Sequence, residues 1–372
     1  MDRGHYPQLD GLRALAVSAV LAGHFLSDTW LAKAVGWGDA GVILFFCLSG
    51  YLITDILLEI DAPSAADRRT GVGIFYVRRV LRIFPIYYFT LAIAVLVDYR
   101  PVVENLGRLV TYSLNIPMLP PTDNLGAASH FWSLSVEEQF YLLWPAAVVF
   151  FPRRHLRSLV LAVVGVSLVH KFGFAAAGGP YHLVFWNVLG CMDSLGLGAL
   201  LAVRRRENGT RSEMARGFLF AGAIAAPVWL ALTAFRIATK IDPWYEGHLV
   251  FGAAHFATAA VAGTGLVAYA LIGTKGSFGR LLENRVMVLI GKISYGLYVY
   301  HLFIQYVLVW LGSRQFIRPL SPLEAAALGI AVSFVAAIVS WHALERPFLR
   351  LKRRFTYRTR ATPGPEEPAG AL

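Results

Sequence analysis

The sequence predicts an all-α, polytopic membrane protein of about ten transmembrane helices with both termini cytoplasmic. Three observations carry that prediction. The first is composition: 56% of the 372 residues are apolar and only 15% are charged, with a mean hydropathy of +0.55. A water-soluble domain holds about 25% charged residues, so lipid must face most of this surface. The second is length. Crossing the hydrocarbon takes about 20 apolar residues. Stretches of that kind lie near 9–28, 40–60, 83–98, 131–152, 156–174, 182–203, 217–236, 248–273, 288–311 and 322–344. The third is charge. With the N-terminus inside and ten alternating spans, 26 of the 34 Lys and Arg residues fall on the cytoplasmic side and 8 on the other. That is the positive-inside bias, and a span more or fewer would scramble it.

Each element follows in order. Residues 9–26 contain Arg13 and His24 and lack a small-x-small cleavage site, so they read as a retained first helix rather than a signal peptide. Residues 105–118 are too short and polar to cross, and suggest a re-entrant or interfacial piece. Residues 1–345 form one integral domain, and 346–372 a cytoplasmic basic segment with a disordered tail from Ala361. Cys47 and Cys191 both sit in apolar stretches, which gives neither a disulfide framework nor a metal site. The net charge of +11 comes from short clusters at helix ends. It suits topology and anionic membrane lipids and does not describe a nucleic-acid surface.

Ionisable groups at membrane depth point to function. Arg13 and His24 are eleven residues apart, about 20° beyond three full turns and roughly 16 Å along the axis. They therefore share one face of the first helix, a guanidinium near the cytoplasmic mouth and an imidazole in the outer half. Histidine is the usual general base near neutral pH, and arginine binds phosphate or a carbonyl oxygen. On the second helix, Ser49-Gly50 permits close helix approach; no adjacent base makes Ser49 a nucleophile, and packing is the first expectation for it. Arg78, Arg79 and Arg82 lie at the expected start of the third span. They are either an orientation signal or a clamp for a phosphorylated donor. The fourth span opens His130-Phe131-Trp132-Ser133 and holds Glu137 two turns below the outer surface. At that depth Glu137 is expected to orient the His24 imidazole, in the way an acid steadies a catalytic histidine. On the ninth span, Ser294, Tyr298 and His301 share a face, and the sixth adds Asp193 near mid-bilayer. Each of these either lines a cavity or satisfies a hydrogen bond between helices.

Six stretches in order resemble the membrane-bound acyltransferase family 3. They are Gln8-Leu9-Asp10-Gly11-Leu12-Arg13-Ala14 with His24; Phe45-Phe46-Cys47-Leu48-Ser49-Gly50; Arg78-Arg79-Val80-Leu81-Arg82-Ile83-Phe84-Pro85; Trp132-Ser133-Leu134 through Tyr141; Ile293 through His301; and Glu345-Arg346-Pro347-Phe348. The resemblance implies a ten-helix O-acyltransferase of the inner (plasma) membrane. Such an enzyme moves an acyl group, usually acetyl from cytosolic acetyl-coenzyme A, onto a hydroxyl of a carbohydrate or glycoconjugate. It also implies that His24 and Arg13 are the important first-span pair. Some members add an extracytoplasmic esterase-like domain; 372 residues leave no room for one, so a stand-alone member is expected.

The expected site therefore has His24, Glu137 and Arg13 as catalytic residues. Arg78, Arg79, Arg82, Ser49, Trp132, Asp193, Tyr298 and His301 bind substrate or donor. Acyl-coenzyme A is a co-substrate, and neither a metal nor a permanently bound cofactor is expected. The rival expectation is a transporter or flippase for a small metabolite or lipid-linked sugar. Its mark would be repeated halves with discontinuous helices, and no internal repeat is visible.

Overall fold

The computed structural model describes residues 6–27, 36–60, 64–116, 125–207, 211–241, 246–272 and 276–357. Arg3, Lys33, Lys275, Arg358, Arg360 and the expected tail lie outside the described residues. Every regular element among the described residues is a helix. The ten long ones are α1 (Pro7–Phe25), α2 (Trp37–Leu58), α3 (Ala65–Leu96), α4 (Phe131–Phe150) and α5 (Leu156–Ala176), followed by α6 (Val188–Glu207), α7 (Arg211–Thr239), α8 (Leu249–Ile272), α9 (Arg285–Ser313) and α10 (Pro322–Ser340). Each overlaps one expected span.

Eight of these helices, all but α1 and α4, are long and apolar enough to cross a membrane by length and composition. Length is not what sets the other two apart, since 19 and 20 residues reach about 28 and 30 Å. Polarity is. Helix α1 carries Gln8, Asp10, Arg13 and His24, and α4 carries Ser133, Ser135, Glu137, Glu138 and Gln139. Both are shielded inside the bundle: Leu12, Ala14, Ala16, Val17 and Val20 of α1 are 0% exposed, as are Phe131, Ser135 and Val136 of α4.

Glycines let the central helices close on one another. A Cβ at Gly23 of α1 would fall 2.8 Å from the Gly38 Cα of α2. One at Gly291 of α9 would fall 2.9 Å from the Asp10 Cα of α1. These contacts also fix directions. Asp10 faces Gly291 and His24 faces His301, so α1 and α9 run parallel. Gly23 meets Gly38 while Gly41 meets Ala16, so α1 and α2 run antiparallel. Helices α2 and α4 run parallel through the pairs Ser49–Glu137 and Thr54–Trp144. This is the order that strictly alternating spans require.

Two expectations are corrected here. Helix α3 begins at Ala65, where the Ser64 hydroxyl caps the Asp67 N–H at 3.0 Å. Arg78, Arg79 and Arg82 consequently stand in its fourth and fifth turns rather than at a helix start, beyond the reach of the N-terminal dipole. Helix α1 ends at Phe25, short of residue 28, so His24 lies in its last turn. Glu137, six residues inside α4, lies deeper by about one and a half turns.

Residues 100–116 do fold back into the bundle as two short helices, Arg100–Glu104 and Leu106–Val110, and the turns after them. The Tyr87 and Tyr88 hydroxyls of α3 donate to the Leu109 and Val110 carbonyls at 2.8 and 2.9 Å. Gln139 of α4 donates to the Tyr112 carbonyl at 2.8 Å and trades amide bonds with Asn115.

Candidate active site

Helices α1, α2, α3, α4 and α9 enclose a cavity of about 230 Å³. It reaches from Ile56 and Lys352, at the end of the bundle where Arg13 lies, to Val42, Ser133 and Tyr298, towards the end where His24 lies. Three guanidiniums, Arg13, Arg79 and Arg82, share its wall with Glu137 and Glu138, and Phe45, Phe46, Leu52 and Ile53 supply an apolar side. Arg13 pairs with Asp10 at 2.8 Å. Arg79 lies over the Phe75 and Tyr141 rings, 5.6 and 5.9 Å from their centroids. Counting Lys352 and the Asp10 that Arg13 holds, four basic side chains stand against three carboxylates around this void. The excess suits an anionic ligand, which a flexible Lys and planar guanidiniums bind through charge-assisted hydrogen bonds.

Glu137 does not reach His24. Its Oε1 accepts from the Ser49 hydroxyl at 2.5 Å, and Tyr141 sits 3.0 Å from the same hydroxyl. Since the Ser49 proton goes to the carboxylate, Tyr141 donates to Ser49. This corrects one expectation: Glu137 is held by α2 rather than by the imidazole of α1. Ser49 bonds a neighbouring helix, as expected of a packing residue, and also lines the cavity. The cause is azimuth: depth along α4 was legible in the sequence, whereas the direction in which the carboxylate leaves the helix was not.

The partner of His24 is His301. Its Nε2 lies 3.2 Å from His24 Nδ1, and the ring centroids are 4.9 Å apart. A third imidazole, His130, packs 4.8 Å from His301. His130 is 4% exposed, and neither of its ring nitrogens has a hydrogen-bond partner among the described residues. Gln305 donates to the His24 carbonyl at 3.2 Å, occupying an acceptor that the end of α1 leaves open. Tyr298 belongs to both regions. It lines the cavity, its ring is 5.2 and 5.7 Å from those of His130 and His301, and its hydroxyl bonds Ser133 and donates to the His130 carbonyl at 3.1 Å. Tyr298 and Ser133 thus form the partition between the charged cavity and the histidines. No group of three or more His, Cys, Asp or Glu side chains could hold a metal ion among the described residues.

Three expected site residues stand elsewhere. Arg78 donates to the Phe355 carbonyl at 2.5 Å and lies over the Tyr357 ring, which pins the C-terminal segment against α3. Asp193 forms a buried ion pair with Lys171 at 2.5 Å. Trp132 stacks on Trp186 with ring centroids 5.4 Å apart, beside a separate small void. Sequence reasoning missed Lys352, Glu138, Tyr141, Ser133 and His130 as members of these two regions. Four of them lie in the run 130–141, where the signal was present but spread around the helix. Lys352 lies in a basic cluster that reads as an orientation signal, and Arg78 is what brings its backbone to the cavity, its Nη1 lying 3.4 Å from the Lys352 carbonyl.

Comparison with known proteins now bears on this site. A family model described as an acyltransferase domain matches residues 6–342. The peptidoglycan O-acetyltransferase OatA of Listeria monocytogenes is 29% identical over 93% of this chain and 56% of its own length. The putative peptidoglycan O-acetyltransferase YrhL of Bacillus subtilis is 28% identical over 92% and 55%, and the O-acetyltransferase OatA of Staphylococcus aureus 25% over 92% and 57%. The chain spans about half the length of the curated relatives it matches. No solved structure matches it. The family match runs from residue 6, just before α1, to residue 342, just past α10, and takes in the histidines and every cavity-lining residue except Lys352; the chain belongs to the acyltransferase domain family, and eight of its helices are long and apolar enough to cross a membrane.

Proposed function

We propose that this protein is a membrane O-acyltransferase that moves an acetyl group from cytosolic acetyl-coenzyme A onto a sugar hydroxyl of a cell-surface glycan. All ten long helices span the membrane in this reading, and the Arg13 end faces the cytoplasm. The supporting observation is the excess of cations around a cavity that ends at the partition below His24. Donor phosphates sit near Lys352, Arg79 and Arg82, the pantetheine arm passes Arg13, and the acyl end slips between Phe45 and Tyr298. The acceptor arrives from the His24 end. His24 takes the hydroxyl proton as the acceptor oxygen attacks the thioester carbonyl. The new ester bond forms, the C–S bond breaks, and the departing thiolate takes that proton. The Tyr298 hydroxyl turns from the His130 carbonyl, which the Ser133 hydroxyl still serves, and donates to the transient oxyanion. Relatives named for peptidoglycan make a peptidoglycan sugar the first acceptor to try.

The experiment supplies purified protein in nanodiscs with labelled acetyl-coenzyme A and muropeptides or other glycan fragments, and follows free thiol and labelled ester. Expected are both products from the wild type. The His24→Ala variant should be folded, with transfer reduced at least a thousandfold. Transfer at the wild-type rate by His24→Ala would remove the assignment.

A further inference from the structure

We infer that His301, a neutral imidazole, is the positioning residue that sets the tautomer of His24 and, as a hydrogen-bond acceptor, steadies the charge His24 acquires. The inference rests on the proposed role of His24 as base.

Two carbonyls decide the arrangement. His301 Nδ1 lies 2.6 Å from the Tyr298 carbonyl oxygen, and an oxygen at that distance requires an N–H. Neutral His301 therefore carries its proton on Nδ1 and presents a lone pair on Nε2. His24 Nδ1 lies 3.0 Å from the Val20 carbonyl and 3.2 Å from that lone pair. Both neighbours accept, so His24 also carries its proton on Nδ1. The opposite tautomer would set a nitrogen lone pair against a carbonyl oxygen at both rings. What remains is His24 Nε2, bare and without a partner among the described residues. In a neutral imidazole the nitrogen with the free lone pair is the base, and the hydrogen bond at the other nitrogen selects it.

The groups facing this pair are few. Tyr298 comes from α9 and His130 from the turn before α4. No carboxylate bonds any of the three imidazoles among the described residues. Hydrolases commonly steady such a histidine with a buried anion, which deep in a bilayer demands a compensating charge. His301 needs none. When His24 Nε2 takes the acceptor proton, its Nδ1–H stays in place and donates to His301 Nε2 and the Val20 carbonyl, so two neutral acceptors steady the imidazolium without a buried anion. The Nε2 proton then goes to the departing thiolate, and His24 returns to its starting tautomer.

The test combines kinetics with a direct reading of the tautomer. His301→Phe keeps a ring and removes both nitrogens; it should lower kcat by about 10- to 100-fold with the donor KM within about twofold of wild type. His301→Gln keeps an acceptor for His24 and a donor for Tyr298, and should recover most of that loss. Wild-type kcat in His301→Phe, or no advantage of Gln over Phe, would overturn the inference. Independently, solid-state 15N spectra of histidine-labelled protein in bilayers, with the His24 signal identified by its loss in His24→Gln, should show Nδ1 protonated and Nε2 bare. The reverse tautomer would also overturn it. If wild-type protein transfers no acetyl from coenzyme A, the proposed function fails while the spectra still decide the tautomer.

Discussion

Two sets of charged side chains are buried in this bundle, and they are built differently. Lys171 of α5 and Asp193 of α6 meet at 2.5 Å with 3% and 1% of their side chains exposed. The Asp193 carboxylate also accepts from the Ser194 N–H at 2.8 Å, while its own N–H is bonded to Ser167. The adjoining void is about 20 Å³, room for a single water. Around the larger cavity, Arg13, Arg79, Arg82 and Lys352 stand with Glu137, Glu138 and the Asp10 that Arg13 holds, beside about 230 Å³ of space. The first set is closed and neutral, which is how a polypeptide survives in lipid. The second borders open space, with more basic than acidic side chains around it. A charge in a membrane helix becomes informative about function once one knows whether it has been neutralised and whether there is space beside it.

That contrast can be broken by substitution. The largest effect is expected at the closed pair. Lys171→Met leaves an uncompensated carboxylate and should destabilise the protein by about 3–5 kcal/mol, whereas Lys171→Met combined with Asp193→Leu should recover most of that loss. Thermal unfolding in detergent measures both, and an unchanged midpoint in the single variant would contradict the account. A smaller effect, and of another kind, is expected at Arg82. Arg82→Gln should weaken donor binding by about 1.5–3 kcal/mol, the worth of a hydrogen bond to a charged group, read as a tenfold to hundredfold rise in donor KM. Its unfolding midpoint should stay within about 2 °C of wild type. If it unfolds as readily as Lys171→Met, the open cavity is structural as well. The smallest effect is expected at Lys352, at the cavity mouth. Lys352→Gln should raise donor KM by about threefold to fivefold at low salt, as for a partly exposed ion pair, and the difference should fade at high salt.

Much of the fold was legible because a helix in lipid must be long and apolar, and both properties are local. Even α1 and α4, which fall outside the simple apolar pattern, were legible as long helices from their place in the sequence. Helical pitch put Arg13 and His24 on one helix face, yet Arg13 lines the cavity and His24 does not. Partnerships were not legible. Which of Ser49, His24 or Lys171 a buried carboxylate meets depends on the rotation of one helix against another, fixed by contacts such as Gly23 on Gly38 and Gly291 on Asp10. Hence Glu137 went to Ser49 and Asp193 to Lys171, and His24 was left to His301.

The fold-back at residues 100–116 has a consequence for biogenesis. The carbonyls of Leu109, Val110 and Tyr112 accept from side chains of α3 and α4, Leu109 sharing its oxygen with the Tyr112 N–H. Bare carbonyls do not persist in hydrocarbon. Once residues 100–116 are made and before α4 follows, the acceptor at Tyr112 lacks its side-chain donor, because Gln139 is not yet made. The segment can settle only after α4 has turned its amide inward. Since α3 and α4 also wall the cavity, the cavity takes shape no earlier than that step.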